Sequence, residues 1–269
     1  MDCLIGKFSI LHRLLIAASH TLMHKRLLLP FLFFTLHSFS QNKPVVYQQQ
    51  SWMGWYPQVK FSKHWGTWFD SEIHTSDHYF NGFSQAVFRL AATYYNKKGN
   101  KFTAGYGYTD YFPGDNHKFI SIPEHHAWEQ YQWYKNTKKH KLMQWFRMEQ
   151  KFKENVIDDY TADNSYTLIY RLRHNIYYTL SLSKRGLVPG ALSLAIGNEL
   201  YLYYGPGSAN HLFDQDRVFL GFSYALNSHD NFVLGVTNIF QENAAGTSYL
   251  NNNVFRVSLF QNIGLKQRD

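Results

Sequence analysis

Residues Tyr166–Leu182 read YTLIYRLRHNIYYTLSL. Alternate positions hold Tyr166, Leu168, Tyr170, Leu172, Ile176, Tyr178, Leu180 and Leu182, broken only by His174. The positions between them hold Thr167, Arg171, Arg173, Asn175, Thr179 and Ser181. Successive side chains of a strand point to opposite faces, so this segment reads as one long ribbon with an apolar and a polar side. Strands of soluble proteins usually run about five or six residues, whereas a tilted membrane-crossing strand needs about 9–11.

The same two-faced pattern recurs outward in both directions. Leu192, Leu194, Ile196, Leu200, Leu202 and Tyr204 oppose Ser193, Ala195, Gly197, Glu199, Tyr201 and Tyr203; Val218, Leu220, Phe222, Tyr224 and Leu226 oppose Gln215, Arg217, Gly221 and Ser223. From Val46 onward the expected strands are Tyr47–Phe61, Gly66–Thr75, Phe83–Tyr95, Lys101–Tyr111, Ile122–Tyr134, Lys141–Phe152, Tyr166–Leu182, Ala191–Tyr204, Phe213–Leu226, Asn231–Phe240 and Asn253–Gly264. No amphipathic helix and no interdomain linker interrupts them. Aromatic residues make up 18% of a chain whose mean hydropathy is −0.40. That combination suits a wall with lipid on one side and water on the other. A soluble β-sandwich has the same period; strand length and the aromatics near strand ends decide against it. Trp52, Trp55, Trp65, Tyr94, Tyr95, Tyr111, Trp133, Tyr134, Tyr203 and Tyr204 are expected to form girdles at headgroup level.

The reading is therefore all-β: an antiparallel up-and-down transmembrane β-barrel of ten to twelve strands. Eleven segments are visible, and single-chain bacterial barrels have an even number. The expectation is ten or twelve, with either an extra strand in Gln41–Gln50 or one segment that does not span. Connections alternate between short ones (62–65, 96–100, 135–140, 183–190, 227–230) and longer ones (76–82, 112–121, 153–165, 205–212, 241–252), as in barrels with short periplasmic turns and long extracellular loops.

Residues 1–40 read as a leader. Basic His24, Lys25 and Arg26 precede the apolar run Leu27–Leu36, and Ser38-Phe39-Ser40 offers small residues for signal-peptidase cleavage before Gln41. Residues 23–40 form the signal peptide, with translation read as starting at Met23 and residues 1–22 untranslated; residues 41–269 form the barrel. The apolar run is too short to cross a bilayer as a helix. Cys3 is the sole cysteine, so the mature part has no disulfide, thiol nucleophile, cysteine-based metal site or lipoprotein anchor. Without the leader, 23 Lys/Arg face 18 Asp/Glu, a net +5 that implies no nucleic-acid partner.

Four blocks in order, Glu124–Gln130 (EHHAWEQ), Arg147–Phe152 (RMEQKF), Asn198–Tyr204 (NELYLYY) and Phe213–Gly221 (FDQDRVFLG), resemble the domain-of-unknown-function family 2490 from about Trp52 to Phe260. The resemblance implies an outer-membrane barrel of the kind common in Bacteroidetes and supplies no activity. The chain departs from it at His125 and His126, where an Arg is expected, and by continuing past Phe260.

The polar faces carry Glu72, Arg89, Glu124, His126, Arg147, Glu149, Arg171, Arg173, Glu199, Arg217 and Arg256, together with Asp70, His74 and Lys151. A lumen of this size is narrow, and charges within it are costly unless paired. The first reading is a lumenal charge network in which Glu124, Glu149 and Glu199 accept from Arg147, Arg171, Arg173 and Arg217. The second is a small pore favouring anions. The third, of a different class, is an outer-membrane lipid-modifying enzyme, a hydrolase or acyltransferase, using His125 with a serine such as Ser121; no G-x-S-x-G elbow accompanies it. No catalytic residue, cofactor or metal is assigned: adjacent His125 and His126 point to opposite faces of a strand. The expected partners are outer-membrane lipids and the barrel assembly machinery. A small-molecule ligand is left open, and the Lys-rich turns suit anionic headgroups.

Overall fold

The computed structural model describes residues 43–265 apart from 77, 117, 206–210 and 244, so the leader lies outside the described residues. Eleven strands follow one another: β1 (Val45–Lys60), β2 (Trp65–Thr75), β3 (Phe83–Tyr95), β4 (Lys101–Tyr111), β5 (Ile122–Asn136), β6 (His140–Val156), β7 (Ala162–Ser181), β8 (Leu192–Tyr204), β9 (Phe213–Ala225), β10 (Asp230–Glu242) and β11 (Tyr249–Gly264). One helical turn, α1 (Pro113–Asn116), sits between β4 and β5.

The strands close into a barrel in chain order, each antiparallel to the next. The ring is completed by β1 and β11, which pair in parallel from Val45↔Tyr249 to Lys60↔Gly264. This corrects two expectations. The count is eleven rather than ten or twelve, and the ladder is not antiparallel throughout. Neither proposed remedy for the odd count is used: Val45–Gln50 simply extends β1, and all eleven segments join the ring. The physical reason is direction. In a meander of odd length the first and last strands run the same way, so only a parallel seam can pair the two free edges. β1 consequently starts at one rim, hereafter the N-terminal rim, and β11 ends at the other, the C-terminal rim.

Pairing also lengthens several strands. β6 and β7 run 17 and 20 residues and leave only 157–161 between them, so most of the expected loop 153–165 is hairpin. The backbone N–H of Ile157 donates to Thr161 O at its tip. Phe119 stacks on Tyr160 at 4.5 Å, and the Phe119 N–H donates to Asp159 O at 2.8 Å, tying the 112–121 connection to that hairpin. Conversely, the β7–β8 connection, expected to be short, spans 182–191. In β1, Pro57 lacks the N–H a ladder needs, and the β1–β2 register skips from Trp55↔Ser71 to Gln58↔Trp68 there.

The two faces separate as the period requires. Phe88, Leu90, Phe146, Ile196, Leu220, Phe222 and Val236 lie exposed on the outer wall, Leu90 at 61% and Leu220 at 56%. Inward positions are buried and mostly polar. The aromatic girdle needs revision: Trp55, Trp65 and Tyr94 face outward and are exposed, whereas Trp52 is buried in the lumen. Tyr95, Tyr111, Tyr134 and Tyr203 occupy inward positions as well. Tyr94-Tyr95, Trp133-Tyr134 and Tyr203-Tyr204 are adjacent pairs, so only one member of each can reach the outer wall.

The parallel seam is testable with Cys3→Ser as background. Met53→Cys with Val257→Cys should form a disulfide on oxidation, because Met53 pairs with Val257 across the seam and paired positions lie about 4.8 Å apart. Met53→Cys with Ile73→Cys tests the β1–β2 ladder in the same way. A bridge in the second pair and none in the first, read by gel mobility, contradicts the closure.

Candidate functional site

The polar faces of the strands meet at the waist of the barrel, and register decides which charges touch. Glu149 on β6 lies opposite Arg171 on β7, while Arg147 lies opposite Arg173, a like-charge pair. Glu149 resolves that conflict. It is fully buried, takes Arg171 Nη2 and Arg173 Nη1 at 2.6 Å each, and has Arg147 Nη1 at 3.7 Å. Arg173 continues to Glu199 through Nε at 2.7 Å. Arg171 continues to Asp214 at 3.2 Å. On the other side Arg89 bridges Asp70 at 3.0 Å and Glu72 at 2.9 Å, and its Nε donates to His126 Nε2 at 3.3 Å. Glu72 also meets His74 at 3.2 Å. His126 lies flat against β4, where a Cβ on Gly107 would fall 2.1 Å from its Nε2.

Aromatic rings fill the spaces between the ions. The Arg147 guanidinium sits 4.2 Å from the Trp128 ring centroid and 5.0 Å from that of Trp145. Tyr201, fully buried, is flanked by Arg173 at 4.4 Å, Arg217 at 4.5 Å and Arg171 at 4.9 Å. Arg217 also reaches the Trp52 ring, across the lumen on β1, at 4.8 Å. A cation over a ring face is favoured, more so when both are desolvated.

Of the residues singled out from the sequence, Arg147, Glu149, Arg171, Arg173 and Glu199 form one connected cluster, and Glu72, Arg89 and His126 form a second. Two pairings differ from expectation. Glu124 accepts from Lys151 at 2.9 Å and from the Tyr111 hydroxyl at 3.2 Å rather than from an arginine. Arg217, although opposite Glu199 in register, donates to Gln215 at 2.7 Å and lies over aromatic rings. Arg256 stands apart, donating to Tyr56 and Ser258. The sequence reading also missed Asp214. The β8–β9 register shifts between Tyr201 and Leu202, leaving Asp214 as the extra residue of a bulge, and both it and Gln215 are buried. Bulges re-aim side chains in this way. The period-2 count assigned no face to Asp214, and only the bulge supplies the carboxylate that Arg171 uses.

His125 faces outward. Its Nδ1 hydrogen-bonds the Tyr106 hydroxyl, and its ring lies within 6.0 Å of Tyr106, Tyr108 and Tyr166. The expected Ser121 is not the partner of that nitrogen. Among the described residues no group of three or more His, Cys, Asp or Glu is arranged to hold a metal ion.

Fold and waist together define a closed β-barrel with a lumen filled by paired charge. The family described as "Protein of unknown function (DUF2490)" matches residues 49–250, and the chain belongs to that family. No curated protein matches the chain, and no solved structure does.

Glu149→Gln leaves three buried guanidinium groups short of a counter-charge and is expected to destabilise the barrel by about 3–5 kcal/mol. Asp159→Asn, at the exposed pair with Lys118, should cost about 1 kcal/mol or less. Urea unfolding in detergent micelles compares the two, and equal midpoints contradict a cooperative waist.

Proposed function

We propose that the mature chain is an outer-membrane β-barrel of a Gram-negative bacterium, exported through a cleaved signal peptide, whose charge-filled waist makes it a rigid, non-conducting scaffold. One observation carries the membrane reading: the barrel is inside-out. Exposed Phe88, Leu90, Leu220, Phe222, Leu234 and Val236 band the outside, while Glu149, Asp70 and Asp214 are buried inside. Contiguous apolar surface of this kind is unfavourable in water and suits hydrocarbon, where closed barrels satisfy every backbone group. The outer band is flanked by Trp55, Trp65 and Tyr94 toward the C-terminal rim, where amphipathic rings meet headgroups.

In this reading the C-terminal rim faces the periplasm. Its connections carry Lys63, Lys97, Lys98, Lys138, Lys139, Lys184 and Arg185, with Lys135 at the end of β5, a basic fringe suited to anionic headgroups. The end of β11 lies at the same rim, where the barrel assembly machinery would receive it. A scaffold is favoured over a pore by the waist itself: Glu149, Tyr201 and Trp128 are within 1% of complete burial, and their neighbouring guanidinium groups are spent on pairs and rings.

The protein should remain in the membrane pellet after carbonate extraction and migrate faster on SDS gels before heating than after. Leu220→Arg, in the middle of the outer wall, should cost about 2–4 kcal/mol, and Leu226→Arg, at the end of the strand, about 0–1. A water-soluble barrel shows no such depth dependence, and release by carbonate overturns the reading. In planar bilayers the purified protein should carry no ion current; steady single-channel conductance restores the pore.

A further inference from the structure

Inward positions between the waist and the C-terminal rim hold three ammonium groups. Lys60 on β1 lies 4.7 Å from the Tyr95 ring centroid; Lys101 on β4 lies 5.6 Å from both Tyr95 and Tyr134; Lys141 on β6 lies 5.2 Å from Tyr134. The row therefore runs lysine, ring, lysine, ring, lysine along one arc of the lumen. Gly66 makes the first link, since a Cβ there would stand 3.1 Å from the Tyr95 ring and 3.2 Å from Lys60 Cα. Lys101 is only 9% exposed and donates to Gln58 Oε1 at 2.6 Å.

At the waist six carboxylates face seven Arg and Lys groups. Below it, among the described residues, no inward strand position toward the C-terminal rim carries Asp or Glu. Inward neighbours of the lysines are neutral: Gln58, Thr93, Thr103, Gln130, Gln132 and Thr179. Lys101 is buried beside the exposed Lys60 and Lys141; a buried ammonium is costly without a counter-charge, and ammonium groups offer donors only. Such a site calls for a compact anion with several acceptor oxygens.

We infer that the lumenal arc of Lys60, Lys101 and Lys141 binds a soluble phosphoryl anion entering from the C-terminal rim. The free species is favoured over a lipid headgroup because the site faces the lumen, with the barrel wall between it and the outer apolar surface. The inference does not depend on where the barrel resides, since binding is measured on purified protein.

Isothermal titration of the full-length protein in neutral maltoside micelles with pyrophosphate tests it. One saturable site is expected. Lys101→Gln should weaken it about tenfold or more, the loss of one charge-assisted hydrogen bond. Lys141→Gln, at an exposed position that folding tolerates, should weaken it several-fold. Lys153→Gln removes the same charge near the opposite rim, over Tyr111, and should leave affinity within about twofold. Three results overturn the inference: no saturable binding at millimolar pyrophosphate; equal losses for Lys153→Gln and Lys101→Gln, which marks general charge attraction; or displacement of pyrophosphate by phosphatidylglycerol added to the micelles, which assigns the site to a headgroup.

Discussion

Each strand exposes a row of backbone donors and acceptors along both edges, and unpaired edges are costly or recruit other chains. In this chain both outermost edges are spent on each other. Because the strand count is odd, they can meet only in parallel, and β1 pairs β11 along its whole length from Val45 to Lys60. The rest of the architecture follows from that seam. It puts the two termini at opposite rims. It also fixes which rim gathers the connections after odd-numbered strands, where the basic residues lie. Pro57 shows how much pairing the seam carries: its missing N–H interrupts the ladder toward β2, while the register with β11 runs on unbroken.

Closure has a second consequence. A ribbon with one apolar side must turn that side either inward or outward, and here it turns outward. The polar sides are then forced together in a narrow lumen. Seven cations and six carboxylates in that space cannot be solved pairwise, as the register shows by placing Arg147 against Arg173. Glu149 sits among both and Arg171, so one carboxylate serves three guanidinium groups. The faces of Trp128, Trp145 and Tyr201 supply the remaining stabilisation. The arrangement is interdependent in the sense that a buried ion network is worth more, or costs more, than its separate pairs.

Periodicity made the β-barrel class and the lumenal residues legible, because a period of two leaves little freedom once a segment is long. Tyr166–Leu182 presents Arg171, Arg173 and Asn175 inward, as its alternation requires. What stayed hidden depended on relations between strands. Glu124 and Lys151 lie one strand apart and off direct register, since Lys151 faces His126 and Glu124 faces Lys153; nothing local identifies their pairing. Asp214 was invisible because a bulge breaks the count on which alternation rests. The girdle was half misread because aromatics near strand ends were grouped by position along the chain rather than by face. Lys60, Lys101 and Lys141 escaped notice for a related reason: they are separated by dozens of residues and meet only when β1, β4 and β6 are aligned at one rim.

The charge along the lumen axis is uneven, and that bears on what the barrel can do. At the waist every cation but Arg256, which donates to the Tyr56 and Ser258 hydroxyls, has an anion or a ring, leaving little field to draw a solute through. Between the waist and the C-terminal rim the lysines have rings and amides but no carboxylate among the described residues. A barrel built for anion passage would carry its uncompensated charge through the narrowest section, where it lowers the barrier. Here the lysines without a carboxylate partner stand to one side of a waist whose cations are nearly matched by carboxylates. The arrangement therefore accords with the scaffold proposed above, and the two regions share strands. Lys141 and Arg147 share β6, while Lys101 pairs in register with Gln132, one inward position from the Gln130 that receives Arg147 Nε.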